Sequence, residues 1–378
     1  MDVLEPEVRR LIGSARRLVV KVGSSSLASA RSGLALDRLR MLADALAERQ
    51  KAGSEIILVS SGAIAAGLEP LGLTHRPADV AQQQAAAAVG QGLLVAAYTA
   101  AFGDHGLRVA QVLLTRKDLA RKASYTNALR TFGALTRLGV VAVVNENDTV
   151  ATREIRFGDN DHLAALVAEL VRAGALVLLS DVDGLYTADP RVPTAERIGF
   201  VPSVADLAVD TLRPGSSGVG SGGMTTKVEA ARLATGAGIP VALARWDQAR
   251  AVLAGEPVGT VFAAAGKRLS RRHGWVAHAS EAQGRLYVDA GAAKALLTTP
   301  ASLLAAGIRR VGGTFEAGDA VDVVGPDGET IARGLVAYDA ADLPAMLGRV
   351  TPDLVATLGK RYAKPVIHRD DLVLTSVS

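Results

Sequence analysis

Val140-Val141-Ala142-Val143-Val144-Asn145-Glu146-Asn147-Asp148 decides how the fold is read. Five apolar residues, four of them β-branched, make a strand buried on both faces, which is the habit of a parallel sheet covered by helices. The run then breaks into polar residues. Across 145–161 there are five carboxylates and three asparagines. In open α/β sheets ligands bind beyond the carboxyl ends of strands, so Asn145 and Asp148 fall where a substrate would sit. Gly158-Asp159-Asn160-Asp161 opens a helix over 163–171, with Asp and Asn where N-caps belong. The same residues also read as a plain polar loop with a helix cap.

Working outward, strands fall at 17–22, 55–59, 109–114 and 176–180, with short ones near Val241 and Val261. Helical periods occupy 34–51, 78–102, 125–138 and 223–237. This alternation predicts a mainly parallel sheet sandwiched by helices. The pattern changes after the basic, small-residue stretch 264–273, which reads as a linker. Beyond it a strand at 285–288, a short helix from Gly291 and glycine-punctuated segments describe a small, mostly β domain. The division expected is 1–268 and 274–378.

At 378 residues, 49% hydrophobic and 21% charged, the chain is a globular protein of two domains. The absence of cysteine excludes thiol catalysis and thiolate metal sites and fits the cytoplasm, and residues 1–17 lack the apolar core of a secretory leader. No charge occurs between Val80 and Gly103, but four glutamines and many alanines make this a core helix, not a membrane span. The net charge of +4 gives no strong pull toward nucleic acid. From Trp275 to Ser378 ten Lys and Arg face twelve Asp and Glu, so phosphate-driven RNA binding is not expected.

Four further strings lie at strand ends or helix starts. Lys21-Val22-Gly23-Ser24-Ser25-Ser26 sets a cation and small residues where backbone amides can face phosphate oxygens, without Walker spacing. Ser60-Ser61-Gly62-Ala63 repeats the arrangement, and alone reads as an ordinary strand-to-helix turn. Ser180-Asp181-Val182-Asp183 offers two carboxylates for a ribose, an adenine edge or hydrated magnesium, or forms an Asx turn. Gly218-Val219-Gly220-Ser221-Gly222-Gly223-Met224-Thr225-Thr226-Lys227 satisfies G-x-G-x-x-G but follows Pro214-Gly215 instead of a strand, which argues against a dinucleotide site. A glycine loop leading to Thr-Thr-Lys suits the tail of a nucleoside triphosphate, or is a surface linker.

Together these strings resemble the amino acid kinase family, and within it the members that phosphorylate the γ-carboxylate of glutamate at the start of proline synthesis. The resemblance rests on Val20-Lys21-Val22-Gly23-Ser24, Ser60 through Gly67, Asn145 through Asp148, Phe157 through Asp161, Asp183 through Pro190, and Gly222 through Lys227. These occur in the family's order. The tail, with Gly291 through Leu296 and Gly307-Ile308, is similar to a PUA domain. The resemblance implies an open eight-stranded sheet, ATP and Mg2+ as partners, L-glutamate as substrate, proline as inhibitor, a homo-oligomer, and a cytoplasmic location. It implies that Ser61, Asp148 and Asn160 contact glutamate, and that Lys21 and Lys227 flank the transferred phosphoryl group with Asp161 orienting both. Ser180, Asp181 and the loop Ser221, Gly222, Gly223, Met224, Thr225, Thr226 and Lys227 would hold the nucleotide. Ser180 and Ser221 stand where Thr is usual, and both keep the hydroxyl. No direct protein ligand of the metal is assigned.

Overall fold

Over about the first 262 residues, short apolar runs alternate with helices, and the computed structural model pairs most of those runs into one sheet. It describes residues 4–28, 33–150, 159–207, 223–265, 275–276 and 281–375. The strands are β1 Arg17–Val22, β2 Glu55–Ser60, β3 Val109–Leu114, β4 Val141–Glu146, β5 Ala175–Ser180, β6 Leu185–Tyr186, β7 Arg197–Ile198, β8 Phe200–Val201, β9 Val241–Arg245 and β10 Thr260–Phe262. The helices are α1 Glu5–Gly13, α2 Ser24–Leu27, α3 Leu36–Lys51, α4 Ala63–Leu68, α5 Val80–Gly103, α6 Arg116–Ala120, α7 Lys122–Arg137, α8 Asp159–Val171, α9 Met224–Gly236 and α10 Ala249–Ala254. Sequence periodicity anticipates the larger of these. It does not anticipate α1, α4, α6 and α10, nor the β6–β7 hairpin and β8.

Eight strands form the main sheet in the order β3-β4-β2-β1-β5-β9-β10-β8. The pairs are parallel except β9 with β10. Chain progress runs one way from β1 through β2 and the other way to β5, so the strand order reverses beside β1. Such a reversal opens a crevice at the carboxyl edge. Register brings Val22 level with Ser60 and with Leu179, which aligns the ends of β1, β2 and β5.

Side chains alternate across the strands. Leu18, Val20 and Val22 join Leu39, Leu46, Leu94, Tyr98 and Phe102 in the core on one face. Val19 and Lys21 therefore turn to the opposite face, toward α8, which packs on β1 and against α9. That alternation delivers a lysine to the helix-covered side of a buried strand.

The chain divides into two units: Met1–Arg116 with Asn127–Arg268, and Lys117–Thr126 with Leu269–Ser378. The second has a five-stranded sheet in the order β12-β11-β13-β14-β15, from β11 Gly284–Val288, β12 Ile308–Gly313, β13 Ala320–Val324, β14 Thr330–Val336 and β15 Ile367–Leu374. Its helices are α11 Ala290–Thr298 and α12 Thr351–Leu358. Leu286, Val321, Val323, Ile331 and Ile367 fill its core. Trp275 belongs to it as well: its indole N–H donates to the Leu119 carbonyl at 2.8 Å and its ring lies 5.9 Å from that of Tyr125. The linker stretch 264–273 lies almost wholly outside the described residues.

Candidate active site

Three elements converge at the carboxyl edge of β1. Lys21 sits one residue before the end of the strand, Asp161 in the first turn of α8, and Lys227 in the first turn of α9. The Asp161 carboxylate bridges the two cations: Lys21 Nζ lies 2.5 Å from Oδ1 and Lys227 Nζ 3.3 Å from Oδ2. Thr226 Oγ1 donates to the same Oδ2 at 2.8 Å. All three charged residues are buried, with Asp161 only 1% exposed.

Burial alone would raise the Asp161 carboxyl, but Lys21 and Lys227 outweigh it and hold it at about 2. Burial lowers the Lys21 ammonium, against the opposing pull of Asp161, and the like charge of Lys227 lowers it further. Two ammonium groups on one carboxylate leave the trio with a net positive charge inside a low-dielectric wall. An anion entering there is attracted far more strongly than in water.

Beside the trio is a polar cluster at the ends of β2 and β4. Asn160 Nδ2 donates to Ser61 Oγ at 2.8 Å and to Asn145 Oδ1 at 2.9 Å. Asn145 Oδ1 also accepts the backbone N–H of Glu146, and Asn145 Nδ2 donates to Gln91 Oε1 on α5, each at 2.8 Å. Ser60 Oγ and Tyr98 OH, the latter also on α5, lie 2.9 Å apart. Asn160 Oδ1 is buried and has no hydrogen-bond partner among the described residues. Buried polar atoms are ordinarily paired, so this acceptor marks a place for a donor on a ligand.

Gly62, at φ 108°, turns the chain from β2 into α4 in a conformation that favours glycine. Backbones then meet directly, since a Cβ on Gly90 of α5 would stand 1.9 Å from the Ala63 carbonyl oxygen. Asp148 is half-buried in the turn after β4.

On the other side, Ser180 ends β5 and donates to Asp181 Oδ1 at 3.0 Å, and Asp181 is exposed. Gly223 precedes α9, and Met224, Thr225, Thr226 and Lys227 form its first turn, the helix end whose positive dipole favours phosphate. Ser221 and Gly222 lie outside the described residues. Among the described residues no cluster of three or more His, Asp or Glu side chains could hold a metal. Mg2+ commonly keeps its waters and is carried by substrate phosphates, which fits this donor set.

The fold therefore gathers Lys21, Asp161, Thr226 and Lys227 into one cluster and Ser61, Asn145 and Asn160 into its neighbour. Gln91 and Tyr98 belong to none of the sequence motifs. Their separation by seven places on one helix, both polar-tipped in a charge-free run, is the signal that they share a face.

A model described as the amino acid kinase family matches residues 16–245, and one described as the PUA domain matches residues 284–358. The chain is 55% identical over 370 residues to a glutamate 5-kinase of Thermobifida fusca (strain YX), covering 97% of this chain and 95% of that protein. It is 56% identical over 367 residues to a glutamate 5-kinase of Streptomyces coelicolor, covering 97% and 98%. A solved carbamate kinase from Giardia lamblia bound to AMP-PNP covers 67% of this chain and 100% of its own, at 17% identity and a TM-score of 0.49.

Proposed function

This chain belongs to the amino acid kinase family, among its glutamate 5-kinases and with a C-terminal PUA domain, and from that premise we propose that it transfers the γ-phosphoryl group of ATP to the γ-carboxylate of L-glutamate. The product is L-glutamyl 5-phosphate, which opens proline biosynthesis, and the setting is cytoplasmic. The observation that carries this reading is the buried Lys21–Asp161–Lys227 trio beside a hydroxyl and amide cluster.

The nucleophile needs no base. A γ-carboxylate is an anion at neutral pH, and one of its oxygens attacks the γ-phosphorus while the bond to the β-phosphate oxygen breaks and ADP leaves. The obstacle is repulsion between that carboxylate and the triphosphate. Lys21 and Lys227 neutralise charge on the transferring group, and Asp161 fixes both ammonium positions in advance. A charge pair about 4 Å apart interacts by roughly 4 kcal/mol at an effective dielectric near 20, enough to hold this arrangement. The first turn of α9, with Ser180 and Asp181, lies where the nucleotide would be held. Mg2+ arriving with ATP would supply further charge neutralisation at the phosphates.

At the acceptor site, Asn160 Oδ1 suits an ammonium donor, and the Ser61 hydroxyl, which accepts from Asn160, keeps its own proton for a carboxylate. Asp148, in the adjoining turn, adds a carboxylate for the amine. Proline shares this head group and lacks the γ-carboxylate, so it fills the site without reacting. It is expected to raise the apparent KM for glutamate without lowering kcat, and Asp148→Asn to weaken proline inhibition and glutamate binding together. Non-competitive inhibition would defeat the shared site. Assembly into a homo-oligomer belongs to the same reading, supported by Val89 and Leu93 exposed on the charge-free α5, and light scattering tests it.

The activity test is ADP release with hydroxylamine trapping, run with glutamate, aspartate and N-acetylglutamate. Glutamate alone should give hydroxamate. Turnover with either competitor and none with glutamate would overturn the substrate assignment.

A further inference from the structure

Gln91 of α5 reaches the acceptor cluster without belonging to any motif, and its Oε1 accepts from Asn145 Nδ2 at 2.8 Å. We propose that Gln91 is a positioning residue that acts through Asn145 to set which atoms the cluster offers to the amino-acid head group. The proposal rests on the glutamate reading above.

The polarity of the cluster can be traced from a group that cannot reverse. The Glu146 backbone N–H is only a donor, so the Asn145 atom facing it at 2.8 Å is the oxygen. Asn145 Nδ2 must then point elsewhere, and it points at Gln91, which has to answer with its own oxygen. Asn145 Oδ1 also takes a hydrogen bond at 2.9 Å from Asn160, so the Asn160 atom on that side is the nitrogen. The same nitrogen donates to Ser61 Oγ at 2.8 Å. Asn160 is left with its carbonyl oxygen buried and unpartnered among the described residues. An acceptor for an ammonium and a hydroxyl with a spare proton are the outcome.

Gln91 closes this chain. Without its oxygen, Asn145 Nδ2 becomes a buried donor with nothing to face, a costly condition. Turning the Asn145 amide to relieve it would set donor against donor at both Glu146 and Asn160. A turned Asn145 no longer accepts from Asn160, whose nitrogen is then held by Ser61 Oγ and, at 3.4 Å, the Ser60 carbonyl alone. The seat of Gln91 is firm, because a Cβ on its neighbour Gly90 would stand 1.9 Å from the Ala63 carbonyl oxygen and one on Gly67 would stand 1.9 Å from that of Ala86. Backbone contact thus ties α5 to α4, the helix that directly follows Ser61. Gln91 Nε2 has no partner among the described residues, so the acceptor oxygen is the part of this side chain that the cluster uses.

The test uses the full chain with glutamate-dependent ADP release. Gln91→Met removes the acceptor with little change of volume. It should raise the KM for glutamate about 10-fold or more while the KM for ATP stays within about twofold. Because Gln91 acts through Asn145, adding Gln91→Met to Asn145→Ala should change the glutamate KM by less than about twofold. A rise shared equally by both substrates, or two effects that multiply, overturns the proposal. Should Gln91→Met not fold, Gln91→Glu keeps an oxygen opposite Asn145 Nδ2 and should hold the glutamate KM within about threefold of wild type. A loss as large as that of Asn145→Ala overturns the proposal by that route. Wild-type protein that releases no ADP in response to glutamate defeats the substrate reading itself. A glutamate-active wild type whose Gln91→Met variant keeps its KM defeats only this inference.

Discussion

Replacing Asp161 by Asn keeps the shape of the side chain and an acceptor for Thr226 Oγ1, but removes the carboxylate that Lys21 faces at 2.5 Å and Lys227 at 3.3 Å. Each attraction is worth roughly 4 kcal/mol at about 4 Å and an effective dielectric near 20. Removing one partner of a buried ion pair typically costs about 3–5 kcal/mol, since the remaining charge stays desolvated, and here two ammonium groups would also repel each other. Asp161→Asn is therefore expected to lower the unfolding free energy near pH 7 by about 3–5 kcal/mol and kcat by about 100-fold or more. The pH dependence has a definite sign. Asp161 is depressed from 3.8 to about 2, so its contribution is present above the unfolded value and lost as pH falls through the folded one. The gap between wild type and variant should narrow in that acidic window, by about 2 kcal/mol for a shift of this size. Urea unfolding across pH and the hydroxylamine assay measure the two effects. A variant within about 1 kcal/mol of wild-type stability near pH 7, with kcat within about threefold, would refute the role given to this carboxylate.

Lys227→Met should lower kcat about 100-fold or more with little change in glutamate KM, and Lys21→Met should behave alike; steady-state kinetics that move only the KM for ATP would contradict the charge-stabilising role. Glu169 on α8 is buried, and that burial pushes its carboxyl from 4.5 up to about 8, so its stability contribution is full below the unfolded value and lost as pH rises through the folded one. Glu169→Gln should therefore match wild type near about pH 5 and exceed it near about pH 9, by up to about 5 kcal/mol, in thermal or urea unfolding. Gly90→Ala should cost about 1–3 kcal/mol, because the new Cβ meets the backbone of Ala63 and Gly67, at 1.9 and 2.4 Å, and cannot be relieved by a rotamer change. Equal urea midpoints for Gly90→Ala and wild type would sink that reasoning.

Most of the sheet is legible because its strands are apolar runs buried on both faces, and composition alone marks such runs. The site is legible in part for a related reason: the polar breaks at Gly23, Ser61 and Asn145 come at strand ends, so parallel pairing brings Lys21, Ser61 and Asn145 to one edge. Burial is what the sequence conceals. Helix α1 has only Val8 and Ile12 as an apolar stripe, and what fixes it is Arg9, whose guanidinium donates to the carbonyls of Glu256 and Val258 at 2.9 and 2.7 Å. Those acceptors lie more than two hundred residues away. Gln91 likewise reads as a polar interruption of a core helix until β4 brings Asn145 against it. Glu169 looks like an ordinary helical charge. Lys117–Thr126 falls in the second unit, where Leu119 meets Trp275, 156 residues further along the chain.

The proposed transfer has a glutamate carboxylate oxygen attack the γ-phosphorus of ATP at the Lys21–Asp161–Lys227 trio. Glutamate labelled with 18O in its γ-carboxylate tests it directly. Hydroxylamine cleaves an acyl phosphate at carbon, so the phosphate released keeps the bridging oxygen, and 31P NMR resolves the isotope shift. One glutamate-derived 18O in each released phosphate, with its rate of release lower by about 100-fold or more in Asp161→Asn, is the expected result. Phosphate free of the label would mean that water is the acceptor and would contradict the account.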